Sequence, residues 1–421
     1  MRILINAVSA KMGGAVNYLR ELAHQLSGIS GYDFIFLVPP ELVKVIRETS
    51  PDFAVLGVDA AHRSFWRRLW FDQVGLRRIL RDERIDVLFS TANLGILNPP
   101  CRQVLLVRNS LHFNDIYLRQ IVRHKPLLAR VQNRLRRELI CASVRSSDVV
   151  MTPSVSMLSE LRQFVNVKRA IVNPYGVNAA RFAAERGFVQ MRDPEGLAAD
   201  LHLCDPPDMS SPLERSGAEG SAFQGPEQCQ SCKDPVSLVF TSLYGEHKNI
   251  GTAFEAMLQL HHVGFACKLI TTCDPQWEGA GQQMDAIRAK DLRLAASLRE
   301  KGIVEFTEAQ KGNMAPLYHR GDIFVYPSVV ESFGHPLLEA MAAGLPVVAA
   351  DVPINRELCA EAALYFSPFD SGNCATLVRR LAVDSALRQK LVIAGHERVD
   401  HFRWEQHVKN LLDVFSSLAS G

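Results

Sequence analysis

Short apolar runs separated by longer stretches of mixed polarity recur from the first residue. "RILINAV" reads as a strand, "SAKMGGAVN" as a loop around Gly13 and Gly14, and "AVNYLRELAHQLSG" as a helix closed by Gly28; "YDFIFLVP" is the next strand. The alternation continues through "IDVLFST", "QVLLVRNS", "SSDVVMTPS" and "RAIVNPYG", with helical stretches before several of these. Short apolar strands alternating with helices of ten or more residues predict a parallel sheet covered on both faces.

The pattern stops at residues 184–235, which lack sustained apolar periodicity and are rich in Gly, Pro, Ser and acids. This span reads as a flexible insertion or linker, dispensable for the cores. Strand and helix then restart with "VSLVFTS", "NIGTAFEAMLQLHHVG", "ACKLITTC", a helical region from about 280 to 301, "GIVEFTE", "DIFVYPS", "PLLEAMAAG" and "PVVAAD". The predicted organisation is a first domain over 1–183, the insertion over 184–235, a second domain over 236–400, and a closing helix over 401–421 that returns to the first domain. Two such domains put the expected ligand site in the cleft between them, at the carboxyl ends of the strands.

A chain of 421 residues, 47% of them hydrophobic, is long enough for two cores. The net charge of +2 excludes a bulk polyelectrolyte partner such as nucleic acid. Base is concentrated locally, in "RSFWRRLWFDQVGLRRILRDE" and "RQIVRHKPLLARVQNRLRRELI". Arginines beside Trp66, Trp70 and Phe71 fit a peripheral face meeting anionic lipid headgroups or a polyanionic glycan, or simply solvated helix faces. Nine cysteines at irregular spacing fit a reduced, cytoplasmic protein. The strand at the very start predicts no signal peptide, and no stretch is long and apolar enough to predict a membrane span.

Chemistry concentrates in "ESFGHPLLEAMAAGLPVVAAD", where Glu331 and Glu339 stand eight positions apart in a segment that must be buried. Pro336 suits a first helical turn, Gly344 a helix stop, and the amides at such a helix start attract a diphosphate. "CQSC", Cys229 to Cys232, has metal-like spacing, but the nearest other cysteine, Cys204, is isolated. "SAKMGGAVN" lacks the three-glycine fingerprint of nicotinamide enzymes.

These motifs, in their order, resemble the retaining glycosyltransferases of GT-B architecture, specifically glycosyltransferase family 4 with its Glu, seven residues, Glu signature. The pieces are Gly13-Gly14 after the first strand, "VNPYGVN" at 172–178, "GEHKNI" at 245–250, "GDIFVYPS" at 321–328 and the double-glutamate stretch. The resemblance implies two Rossmann-like α/β domains with parallel sheets facing across a cleft. It implies transfer of a hexosyl group from GDP-mannose or a UDP-sugar to a glycan or lipid-linked saccharide, in polysaccharide, lipopolysaccharide or glycolipid synthesis. No metal or prosthetic cofactor is implied; the expected localisation is cytoplasmic, with peripheral contact at the cytoplasmic face of the inner membrane left open.

By the same resemblance, Glu339 holds the donor ribose and Glu331 lies near the donor sugar. Gly334, His335, Leu337 and Leu338 offer amides to the phosphates, Lys248 receives the diphosphate, and Gly13 and Gly14 approach the phosphates and the acceptor. His112 is the best match to an active-site histidine of the first domain, with Arg108 and Asn109 just before it. The family arginine that precedes the lysine falls most nearly on Ser242, so one expected charge is missing; His247 or another basic residue would compensate. Lys11 faces either an anionic acceptor or solvent. Two other readings stay open: a noncatalytic glycan-binding or scaffold protein derived from this fold, and a glucan synthase or phosphorylase.

Overall fold

The computed structural model describes residues 1–10, 14–59, 65–183, 235–277, 285–308 and 313–419. Gly13, Lys11, Cys204, Cys229, Cys232 and the span 184–234 lie outside the described residues.

Among the described residues thirteen strands form two all-parallel sheets. The first holds β1 (Arg2–Asn6), β2 (Asp33–Val38), β3 (Ala54–Gly57), β4 (Val87–Ser90), β5 (Arg102–Leu106), β6 (Val149–Thr152) and β7 (Ala170–Val172), in the order β3-β2-β1-β4-β5-β6-β7. The second holds β8 (Val236–Phe240), β9 (Cys267–Thr271), β10 (Val304–Phe306), β11 (Ile323–Tyr326), β12 (Val347–Ala350) and β13 (Ala363–Phe366), in the order β10-β9-β8-β11-β12-β13. Central strands such as "VLFS" and "IFVY" are buried at every position, as a sheet covered by helices on both faces requires. The short strand β3 was missed in the pattern because "AVLG" is too brief for a periodic signal and ends on glycine.

Strand order reverses beside β1 in the first sheet and beside β8 in the second. Chain leaves β8 toward β9 and β10, then returns to β11 on the other side of β8. The loops after β8 and β11 therefore diverge and leave a crevice at their carboxyl ends.

The final helix, Trp404–Ala419, lies on the first sheet's side of the molecule. Phe415 meets Phe89 of β4 edge to face at 5.7 Å, and the Tyr32 hydroxyl and Ser416 Oγ are 2.7 Å apart. The chain crosses between domains where 173–178 passes 402–407. Val177 N–H donates to the Phe402 carbonyl at 2.9 Å, and a Cβ on Gly176 would stand 2.3 Å from Trp404 N. Only glycine allows that backbone approach.

Helix Phe65–Trp70 continues through a π turn, Phe71–Gly75, into Leu76–Asp82. Phe71 is buried against the underlying sheet, which corrects the expectation that it contributes to a peripheral face; Trp70 is 64% exposed.

Candidate active site

The loop after β8 carries Ser242, Gly245, His247 and Lys248, and the loop after β11 carries Ser328, Glu331 and Gly334. They meet at the second sheet's switch point. Lys248 Nζ donates to Glu331 Oε1 at 2.5 Å, and the same oxygen accepts from the Tyr326 hydroxyl and Ser328 Oγ, each at 2.8 Å. Burial presses the Glu331 carboxyl upward, but the Lys248 charge and the other lowering influences, among them the hydrogen bonds from Lys248 and Ser328, together outweigh it and hold the group below the ordinary carboxylate range. Glu331 is thus an ionised carboxylate with three donors on one oxygen, and the cost of burying it is offset by a cation and two hydroxyls.

Gly334 adopts φ +86°, left-handed backbone that turns the chain sharply from Glu331 into the helix His335–Ala342. Pro336 has no N–H, and Leu337 N–H donates back to the Gly334 carbonyl at 3.0 Å. With Pro336 lacking an N–H and the Leu337 amide taken, this helix start offers fewer free amides than the four of an ordinary one. Leu337 and Leu338 point their side chains into the core, both 0% exposed.

Glu339, one turn further, has its own partner. Tyr318 OH donates to Glu339 Oε2 at 2.6 Å, which leaves Thr241 Oγ1, 2.8 Å away, to donate to the tyrosine. Burial raises the Glu339 carboxyl, and the Tyr318 hydrogen bond only partly offsets it. The two glutamates are therefore unlike: Glu331 is neutralised by a cation, Glu339 by a hydroxyl chain from the end of β8.

Ser242 turns its hydroxyl to the Leu243 carbonyl and pins its backbone N–H to Thr272 Oγ1 at 2.9 Å. It supplies no charge. His247 does not supply it either: burial, with Lys248 adding to the effect, pushes its imidazole down to about 3, so the ring is neutral at pH 7.

Loops of the first sheet close over this crevice. Ser110 Oγ donates to the Glu331 carbonyl at 2.9 Å, and Ser154 Oγ to the Ser332 carbonyl at 2.8 Å. Lys125 pairs with Glu246 at 2.8 Å, and the Glu357 carboxylate accepts from the Val155 and Ser156 amides at 2.6 and 2.7 Å. His112 ends the 3-10 turn Ser110–His112, and its Nδ1 donates to Asn133 Oδ1 at 2.6 Å. Burial lowers its pKa, and the Asn133 bond works against that without reversing it. No hydrogen bond among the described residues joins His112 to Lys248 or Glu331. Gly14 opens the helix Gly14–Leu26, and a side chain there would meet nothing within 4 Å, so the first fold alone does not demand glycine at that position.

Three aromatic residues that motif reading passed over fill the junction. Tyr175 stacks on His335 at 5.3 Å and 10°, meets Phe333 edge to face at 5.0 Å, and lies 4.9 Å from Tyr18. The signal was present in "VNPYGVN", but nothing in its spacing says that the tyrosine bridges two domains. Among the described residues no three His, Cys, Asp or Glu side chains gather as metal ligands.

Comparison with known proteins agrees with this architecture. Residues 12–181 match the family described as Glycosyltransferase Family 4, and residues 234–384 the family described as Glycosyl transferases group 1. A D-inositol 3-phosphate glycosyltransferase of Salinispora arenicola is 35% identical over 127 residues, 30% of this chain and 28% of that enzyme. O-antigen chain mannosyltransferase B of Escherichia coli is 31% identical over 102 residues, 24% of this chain and 27% of that one. The aligned stretches thus span less than a third of these relatives' length. Whole-chain likeness comes from solved structures and concerns the fold. Sucrose-phosphate synthase from Thermosynechococcus elongatus superposes with a TM-score of 0.70 at 18% identity, covering 100% of this chain and 99% of that one. HepE of Anabaena, solved in complex with UDP-glucose, gives 0.67 at 14% identity, covering 99% of this chain and 100% of that one. With two parallel sheets, their switch points and both family matches in place, the chain belongs to the glycosyltransferases of GT-B architecture, its first half of family 4 and its second of group 1.

Proposed function

We propose that this protein moves a hexosyl group from a nucleotide diphosphate sugar to a hydroxyl of a glycan or lipid-linked saccharide, with retention at the anomeric carbon. The observation that carries the reading is the convergence of Lys248 and Glu331 at the switch point of the second sheet, under the Ser110 loop of the first. A cation there stabilises a departing diphosphate more than a bound one, which lowers the barrier rather than only tightening binding. The bond from the anomeric carbon to the phosphate oxygen breaks, the acceptor oxygen bonds to that carbon on the same face, and the departing phosphate takes the acceptor proton. Positioning and charge stabilisation are the protein's share.

In this reading Lys248 and the Gly334 and His335 amides receive the diphosphate, Glu331 holds the donor sugar, and Glu339 takes the ribose hydroxyls in exchange for its tyrosine. His112, with Nδ1–H committed to Asn133, keeps Nε2 as a hydrogen-bond acceptor able to orient a hydroxyl without adding charge. UDP-sugars and GDP-mannose both fit: HepE was solved with UDP-glucose, and mannosyltransferases stand among the curated relatives. No metal or cofactor is assigned a part.

The acceptor side favours a membrane-borne substrate. Helix Leu127–Arg145 leaves Leu127 and Leu128 exposed at 72% and 70%, with Val131 and Leu135 on the same stripe and Arg123, Arg130 and Arg134 exposed around it. Apolar side chains flanked by arginines suit the surface of an anionic bilayer, and the proposed place is the cytoplasmic face of the inner membrane. No described helix is long and apolar enough to cross a membrane.

Thermal-shift screening against UDP, GDP, ADP and their sugars identifies the donor base, since a ligand bound only by the folded state raises the melting temperature. NMR of the product from an α-linked donor then decides the stereochemistry. An α linkage is expected; a β linkage overturns retention, and the absence of any transfer or nucleotide binding overturns the enzyme reading. Vesicles of phosphatidylcholine with and without phosphatidylglycerol test the surface, with co-sedimentation expected only for the anionic set.

A further inference from the structure

Arg108 follows β5 on the first sheet, and its backbone N–H is fixed by Asn93 Oδ1 at 2.8 Å. Two residues later Ser110 grips the Glu331 carbonyl, so this loop lies directly on the turn that carries the candidate site. The Arg108 guanidinium stands 5.8 Å from the centre of the Tyr18 ring, on the same aromatic group as Tyr175 and His335. The charges of Glu331 and Arg108 both reach His335, acting on its imidazole in opposite directions.

Three other cations among the described residues around the cleft are matched by carboxylates. Lys248 is paired with Glu331, Lys125 with Glu246, and Arg181 with Glu21. The histidines add nothing at pH 7: burial pushes His335 down to about 4 and His247 to about 3. Arg108 is partly buried and has no carboxylate partner among the described residues. A guanidinium withdrawn from water without an anion is unfavourable.

A second observation points the same way. The Tyr175 hydroxyl is buried, the residue being only 4% exposed; Arg108 is the side chain that reaches it, and its own proton finds no acceptor. Arg108 beside it can only donate, so the tyrosine proton still lacks an acceptor. An uncompensated guanidinium and an orphaned hydroxyl donor together call for a ligand rich in anionic oxygens.

We propose that Arg108 and the Tyr175 hydroxyl bind phosphate oxygens of the donor's diphosphate, opposite Lys248. Because Lys248 is neutralised by Glu331, Arg108 carries the net positive charge of the crevice. It belongs to the first sheet, so the diphosphate is held by both halves of the molecule at once and ties their approach to donor binding. This rests on the donor reading above.

The experiment is calorimetry on the full chain with whichever of UDP, GDP or ADP stabilises the wild type, and with the matching nucleoside. The wild type should bind the diphosphate at least a hundredfold more tightly than the nucleoside. Arg108→Gln should lose tenfold or more of that ratio with nucleoside affinity unchanged, Arg108→Lys should recover part, and Tyr175→Phe, which keeps the stacked ring, should lose several-fold. Each variant's melting temperature without ligand reports whether it folds. An unchanged ratio in Arg108→Gln overturns the inference while leaving the donor reading intact. A raised KM for the acceptor with that ratio intact overturns it too, by moving the arginine's anion to the acceptor. A wild type that binds no nucleotide diphosphate overturns both.

Discussion

Lys248 Nζ and Glu331 Oε1 lie 2.5 Å apart, joining the two loops that diverge at the switch point of the second sheet. Both side chains are largely withdrawn from solvent, at 16% and 14% exposure. Breaking such a pair from one side leaves a buried charge and costs about 3–5 kcal/mol. Lys248→Ala should therefore lower the melting temperature, and Glu331→Gln in the same chain should restore much of the loss, because the carboxylate left behind is then gone. Turnover should not follow: if Lys248 stabilises the departing diphosphate, the single and double variants both lose about a hundredfold or more. Thermal unfolding and initial rates on the four chains separate the two effects, and full activity in the stabilised double variant would remove the pair from the reaction.

Glu339 presents a different chemistry, because its hydrogen-bond partner is the neutral Tyr318. Glu339→Gln keeps an oxygen for that tyrosine but cannot accept two ribose hydroxyls as a carboxylate does. It should fold normally and bind the diphosphate about tenfold or more weakly, in line with a charged hydrogen bond worth about 1.5–3 kcal/mol. Equal affinity for the ribose and 2′,3′-dideoxyribose forms of the nucleotide in the wild type would exclude this residue as the ribose contact.

The architecture was legible because strands such as "SLVF" at 237–240 and "IFVY" at 323–326 are short, mainly apolar runs, the pattern that a sheet buried on both faces imposes. Glu331, Lys248 and Gly334 were legible because a glycine at φ +86° and a carboxylate beside a helix start leave marks in the local sequence. Arg108 was legible only as a neighbour of His112, and Tyr175 not at all: it belongs to the crossing segment, and its stacking on His335 depends on how two separately folded units close. His112 shares the loop of Arg108: its Nδ1 is held by Asn133 while Ser110, two residues earlier, reaches the Glu331 carbonyl, a division of roles that spacing along the chain does not encode.

Gly176 sets the passage between the halves, since an added Cβ would stand 2.3 Å from Trp404 N and 2.5 Å from its Cγ. The backbone of 402–407 must then move, with Trp404 only 6% exposed and packed on Tyr175. Gly176→Ala should destabilise by about 1–3 kcal/mol, the range for overpacking. It should also loosen the final helix, read as faster amide exchange over 404–415. Wild-type exchange there in a variant that folds would show that the crossing tolerates the displacement.

Asp291 gives the pH dependence its sign. It is 3% exposed, accepts from the Tyr244 hydroxyl at 2.9 Å, and abuts Gly251 of the neighbouring helix. Burial raises its carboxyl to about 7, the Tyr244 bond opposing but not cancelling the shift. In the unfolded chain the same carboxyl titrates near 3.9. Between those values the folded state holds a proton that the unfolded state has released, so stability falls as pH rises through this window. Its contribution is complete below about pH 4 and lost above about pH 7, a span on the order of 2–4 kcal/mol. Asp291→Asn keeps an acceptor for Tyr244 and removes the titration. Urea unfolding at pH 5 and pH 8 should show the wild type losing stability across the interval and the variant losing less, with the two chains closest at pH 5. A wild type and variant whose stabilities run parallel from pH 5 to pH 8 would mean that this carboxyl titrates alike in both states, which its burial against Gly251 does not allow.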